Sequence, residues 1–337
     1  KELVDAFFKI QENFASIFTL GLIGDQKQRI YTDGKDNMLS IIPKDWEKPV
    51  KKMNYRCAKR IIQLANTIGK DIDIHAEQNP REDANDGFVR LFVVQQHEGI
   101  NKDEVEQTIM KIMSKDAEDE KWTGIDADVK ILTLEHMMAA RRLGFDSFFA
   151  PFNKVSKYQM TFLQGAVPEI DFFTKIILPI AESMKGDGRV ALEILKEYSP
   201  LLSKQNPEKP YELYLKCREK AVDVASMVNE NKTIREIVKI ISDSQLINLP
   251  NVVDRASNLV SDDVKESDDE ELTAWVNTMD LPIEVIRKYD DYVNHRTRFD
   301  THQGVKGLEF DRVLVIIDDS EAKGFMFSYD KLFGVKN

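Results

Sequence analysis

Three short blocks of this 337-residue chain carry residue types that could do chemistry. The first is Gly24-Asp25-Gln26-Lys27-Gln28-Arg29-Ile30-Tyr31. Gly-Asp followed by polar residues makes a turn. Set beyond the carboxyl end of a strand, the same block would present Gln28, whose amide could sense a phosphate or a water. The second is Asn54-Tyr55-Arg56-Cys57. In its plain reading Asn54 caps a helix, Tyr55 packs and Arg56 is solvated. In its functional reading Arg56, at the first turn of a helix, reaches a bound phosphate and Tyr55 offers a flat face to a base. The third is Thr301-His302-Gln303-Gly304-Val305-Lys306-Gly307-Leu308-Glu309-Phe310, running into the apolar stretch 311–317. A lone Lys-Gly pair is a turn, and a lone histidine is more often structural than a ligand or base. The whole block ahead of a strand is the sharpest of the three signals.

The elements that must position these blocks follow from hydrophobic periodicity. Leu3, Val4, Phe7, Phe8, Phe14 and Phe18 recur at helical spacing. Phe18 to Ile23 then reads as a buried strand that delivers the first block. A basic, Pro-containing connection from Pro43 to Lys52 leads to a helix over 56–68, with Ala58, Ile61, Ile62, Ala65 and Ile68 on one face. Strands are expected at 88–94, 129–134 and 311–317, and helices at 104–113 and 135–143. This alternation is that of a mostly parallel α/β sheet. Between about 156 and 297 the pattern is helical, at about 168–185, 188–198, 210–229, 232–244 and 270–278, punctuated by Pro and Gly. Within it, Ser261 to Glu271 carries seven acids against Lys265 and reads as a solvated loop or a helix N-terminus. An α/β domain interrupted by a helical insertion is the expected architecture.

In their order and wording, the three blocks resemble the motifs of superfamily 1 DNA helicases of the UvrD/Rep/PcrA type. Those proteins carry a Gly-Asp-x-x-Gln-x-Ile-Tyr motif, an Asn-Tyr-Arg-Ser helix opening and a Thr-x-His-x-x-Lys-Gly-Leu-Glu-Phe block. The last resembles the run of Thr301, His302, Lys306, Gly307, Leu308, Glu309 and Phe310, with His302 one place ahead of the family's histidine, where Gln303 stands. The resemblance implies an α/β fold of RecA-like, P-loop NTPase type. Residues 1–45 would end a first RecA-like domain. Residues 46–150 and 298–337 would form a second motor domain, and 151–297 an all-helical accessory insertion. It implies an ATP-dependent translocase or helicase of 3′→5′ polarity, acting on single-stranded or duplex-junction DNA. The insertion would contact duplex or a protein partner. By the same resemblance Gln28 would couple the γ-phosphate to the DNA site, and Tyr55 would stack on the adenine. Arg56 would act as an arginine finger, and Glu309 would hold the ribose or a nearby polar group. Gly307 belongs with the nucleotide contacts. Thr301 and His302 would meet the single strand, with Tyr31 beside them and Lys306 supporting the loop or a phosphate.

The chain also departs from the family. After Ile30-Tyr31 it has Thr32-Asp33-Gly34 where an aromatic and then Arg-Gly are usual, and Cys57 stands in the place of Ser. It holds no Gly-x-x-x-x-Gly-Lys-Ser/Thr phosphate loop and no Asp-Glu magnesium motif. ATP and Mg²⁺ are thus expected as the cofactors of a longer protein. This chain would supply half of the ATP site, and the metal ligands would lie outside it. As given, the chain is expected to be inactive. The competing expectation is a catalytically degenerate helicase-like scaffold that binds nucleic acid or a protein partner.

Composition bounds these readings. Hydrophobic residues make up 42% of the chain, enough for real cores. The most apolar stretch, 170–181, is broken by Asp171, Lys175 and Pro179, so no membrane span is expected. Two cysteines make no disulfide framework, and a reducing cytoplasm fits. The net charge of −11 argues against a polyanion partner only while it is taken as uniform. Residues 41–60 hold seven bases against Asp45 and Glu47, whereas the acidic run lies in the helical stretch.

Overall fold

In the computed structural model the chain is mixed α/β, mostly helical, with small parallel sheets. The structure describes residues 2–14, 16–24, 42–70, 77–95, 97, 99–202, 210–265, 267–322, 328–332 and 334. The first block beyond Gly24, with Gln28 and Tyr31, lies outside these residues. Two compact units are formed, Lys1–Thr123 and Gly124–Asn337.

In the first unit, α1 spans Glu2–Asn13 and its apolar residues Leu3, Phe7 and Ile10 face solvent. The helix stops short of Phe18. The expected buried strand at 18–23 is not formed, and Leu22 and Ile23 are exposed. Residues 88–94 likewise join no ladder, with Leu91, Val93 and Val94 exposed. An apolar, β-branched run becomes a strand only when a partner pairs with it, and neither segment has one among the described residues. The sheet that does form here pairs β1, Met53–Asn54, in parallel with β2, Asn79–Pro80. Helix α2, Lys59–Gly69, begins three residues later than its apolar face predicts. Its first N–H groups, of Lys59 and Arg60, donate to the carbonyls of Asn85 and Asp86 at 3.0 and 2.9 Å. Gly87 makes that approach possible, because a Cβ there would lie 2.3 Å from the Ala58 Cβ and its φ is +71°. Helix α3, Lys102–Asp116, follows, capped by Asn101.

The second unit is built on β3, Lys130–Thr133, lying between β4, Phe299–Thr301, and β5, Val313–Val315, all parallel. Registers pair Thr133 with Thr301 and Ile131 with both Phe299 and Leu314. The strand expected over 311–317 shortens to three residues and is not buried. Among the described residues it is one edge of the sheet, as β4 is the other, and Val313 and Val315 stay exposed. Strand β4 escapes sequence reading because three residues show no period. After β3 come α4, His136–Leu143, and α5, Asp146–Phe152.

The helical stretch then follows its expected outline. A continuous run over 168–183 is π-helical at Phe172–Ile177, just before Pro179, which has no N–H to give the Lys175 carbonyl. Next come α7, Arg189–Tyr198, α8, Pro210–Asn229, and α9, Ile234–Ser244, the run 168–183 being α6. Then come α10, Asn251–Ser257, α11, Glu270–Thr278, and α12, Glu284–Val293. Helices α5, α10 and α12 were not anticipated. Of these, α5 and α12 contribute to the aromatic core, where Tyr289 of α12 stacks on Phe162 at 4.7 Å and Phe152 of α5 meets Trp275 edge-on at 4.9 Å. The acidic run divides as its two readings allow: Ser261–Val264 is a single 3₁₀ turn, and Asp269 caps α11. No described helix is long and apolar enough to cross a membrane.

Candidate functional site

The third block sits at the carboxyl end of β4, where parallel sheets present side chains to ligands. Thr301 ends the strand and is buried. Its Oγ1 accepts the Gly304 N–H at 3.2 Å, and its carbonyl accepts the Val305 N–H at 3.3 Å. Lys306 N–H then reaches the Gln303 carbonyl, and Leu308 N–H the Val305 carbonyl. These successive turns leave His302, Lys306, Gly307 and Glu309 exposed. Of the residues expected to meet a single strand, His302 and Lys306 therefore reach solvent, while the Thr301 hydroxyl is engaged by the loop itself.

The block's two glycines serve different physical needs. Gly307 has φ +86° with open space around it, so its glycine is required by backbone conformation. Gly304 is not left-handed, but a Cβ there would stand 2.2 Å from Asp300 Oδ1 and 3.4 Å from Thr301 Oγ1. Its glycine is required by space.

Sequence reasoning passed over the polar groups beneath this loop. Asp300 is 4% exposed and Lys130 8% exposed, with Lys130 Nζ 3.2 Å from Asp300 Oδ2. His295 Nδ1 lies 2.8 Å from the same oxygen. Nearby, His136 opens α4 with its Nδ1 2.8 Å from the Tyr292 hydroxyl and its ring stacked on Phe149. Burial holds the His136 pKa below its ordinary value, opposed by the charge of Asp300 and aided by His302. Burial, with Asp300 adding to it, pushes the Tyr292 phenol up, so both groups stay neutral near pH 7. One signal in the sequence did point here. A lysine inside Val129-Lys130-Ile131-Leu132 needs a partner if the strand is to be buried.

The second block belongs to the first unit and is shaped by Asn54. Its Oδ1 accepts the N–H groups of Arg56 at 3.0 Å and Cys57 at 2.9 Å. Its Nδ2 donates to Gln78 Oε1 at 2.7 Å, which ties the turn to β2. Asn54 thus closes the turn before α2 rather than capping the helix, whose N-cap is Ala58. The turn leaves Tyr55 72% exposed and Arg56 exposed, so an aromatic face and a guanidinium are both presented to solvent. In the same stretch of sequence Lys44, Lys48, Lys51, Lys52 and Arg60 are exposed as well. Among the described residues no three His, Cys, Asp or Glu side chains gather as a metal site would require. Comparison with protein-family models, curated proteins and solved structures finds no match.

Proposed function

We propose that this chain serves an ATP-dependent DNA translocase or helicase of the superfamily 1, UvrD/Rep/PcrA type, moving 3′→5′. In this reading 46–150 and 298–337 belong to a RecA-like motor domain, 1–45 to the end of another, and 151–297 to a helical accessory insertion. The observation that carries the reading is the third block. Thr301 and Lys306-Gly307-Leu308-Glu309-Phe310 keep the spacing of the family pattern, with His302 one place ahead of the family's histidine, and the block lies as a wound loop at the carboxyl end of a parallel strand, with His302, Lys306 and Glu309 exposed. The exposed Tyr55 and Arg56 support it, because a stacking face and a fork of donors suit an adenine and a phosphate.

ATP is the substrate in this reading. Tyr55 would hold its base, Arg56 would neutralise charge at the γ-phosphate, and Glu309 with Gly307 would meet its sugar. Gln28 would relay phosphate occupancy to the DNA contacts, a role that Tyr31, Thr301, His302 and Lys306 would have. The phosphate loop and the Mg²⁺ ligands are not among these 337 residues and must be supplied from elsewhere.

Titration of a fluorescent oligothymidylate, followed by anisotropy, tests the reading. The chain binds it at low salt, and His302→Ala with Lys306→Ala weakens binding by about 1–3 kcal/mol. The chain alone turns over no ATP, with or without DNA. Absence of oligonucleotide binding at low salt removes the proposal. The Thr32-Asp33 departure favours one alternative, a degenerate scaffold. In a complete motor containing this chain, Arg56→Ala lowers ATP turnover by about 10³–10⁵ with DNA binding intact, whereas a scaffold shows no change.

A further inference from the structure

The loop bearing His302, Lys306 and Glu309 is exposed along its length, yet its two ends are gripped from below by one ion pair. Asp300 uses both carboxylate oxygens. Oδ1 accepts the Thr301 N–H at 2.9 Å, and Oδ2 meets Lys130 Nζ at 3.2 Å and His295 Nδ1 at 2.8 Å. Lys130 spends its ammonium in three directions. Besides Asp300 it donates to the Thr297 carbonyl at 3.3 Å and stands 5.5 Å from the centre of the Phe310 ring. Thr297 precedes the loop and Phe310 closes it, so a single side chain on β3 touches both flanks. Gly304 rests on the same carboxylate with no room for a Cβ, which fixes the height of the loop's middle.

We propose that Lys130 and Asp300 are positioning residues whose ion pair sets the conformation in which the 302–309 loop meets its ligand. The functional half of this inference rests on the nucleic-acid reading above; the structural half does not. A buried pair is weak as a source of stability but strong as a geometric register, because neither charge tolerates losing its partner. That explains why a costly lysine occupies the central strand of the sheet: its gain is loop geometry at a sheet edge.

The test pairs hydrogen exchange with oligonucleotide anisotropy on the intact chain. Lys130→Met/Asp300→Asn removes both charges together, so no unpaired charge is buried and net charge is unchanged. Gly304→Ala is the second variant. It leaves the ion pair in place and lifts the loop off Asp300. In both, the amides of residues 304, 305, 306 and 308 exchange about tenfold faster or more, while those of α9 and α11 keep their wild-type rates. Oligothymidylate affinity falls about tenfold in each, although neither variant alters an exposed charge. Wild-type exchange at the loop amides in both variants overturns the proposal, whatever the oligonucleotide does. Faster exchange with unchanged oligonucleotide binding upholds the positioning role and removes the nucleic-acid reading instead.

Discussion

At the residue scale, the environment of a side chain decides its role more than its type does. His136 and His302 are both single histidines near one strand end, but His302 is exposed and His136 is packed between Phe149 and Tyr292. Because burial holds the His136 pKa below 6.5, the unfolded chain takes up its proton first as pH falls. The native state is then destabilised progressively from about pH 6.5 downward, until pH passes the lowered native value. His136→Gln can still hydrogen-bond Tyr292 but does not titrate. The stability advantage of the wild type over this variant, read from urea midpoints, should shrink between about pH 8 and pH 5. A constant difference across that range would show that His136 is not held neutral. The two cysteines divide in the same way. Cys217 is buried against Ser199, and burial raises its thiol pKa, while Cys57 is only half-buried in the Asn54 turn.

At the element scale, ends and caps settle what periodicity leaves open. Helix α9 shows this most fully. Thr233 and Glu236 form a reciprocal capping box, with Thr233 N–H to Glu236 Oε2 at 2.9 Å and Glu236 N–H to Thr233 Oγ1 at 3.2 Å. Arg235, in the same first turn, pairs with Asp280 at 2.7 Å and donates to the carbonyls of Ala256, Ser257 and Leu259. It therefore helps close the carboxyl end of α10, joining the Leu259 N–H on the Ala256 carbonyl and giving the Ser257 carbonyl a donor. Thr233→Ala should cost about 0.5–2 kcal/mol in chemical denaturation without altering helix content in the native baseline. A cost near zero would mean the box is not formed in solution. The expected helix over about 232–244 therefore starts at Ile234, after its Thr233 cap. The start of α2 was not legible. Its first donors are satisfied by carbonyls of the 85–86 loop, a contact that no local pattern encodes.

At the scale of the whole molecule, the second unit is held by an aromatic core shared among helices far apart in sequence. Trp275 is fully buried between Phe152 and Phe173, and its indole N–H has no acceptor among the described residues. Trp275→Ala should cost about 3–5 kcal/mol, whereas Trp275→Phe should cost much less, since the lost N–H made no bond. Equal losses in thermal or urea unfolding would show that the indole N–H has a partner after all. By itself the sequence determined the α/β character, the outlines of most long helices and the three blocks with their order. These depend on composition and on periods that repeat over many residues. Tertiary structure alone decided which apolar runs are strands. Among the described residues, 18–23 and 88–94 have no partner, while Phe299–Thr301, not expected as a strand, has one, because a strand exists only through the backbone that pairs with it. It also decided what lies beneath the 302–309 loop. Lys130 and Asp300 are 170 positions apart, and parallel pairing across that distance leaves no local trace in the chain.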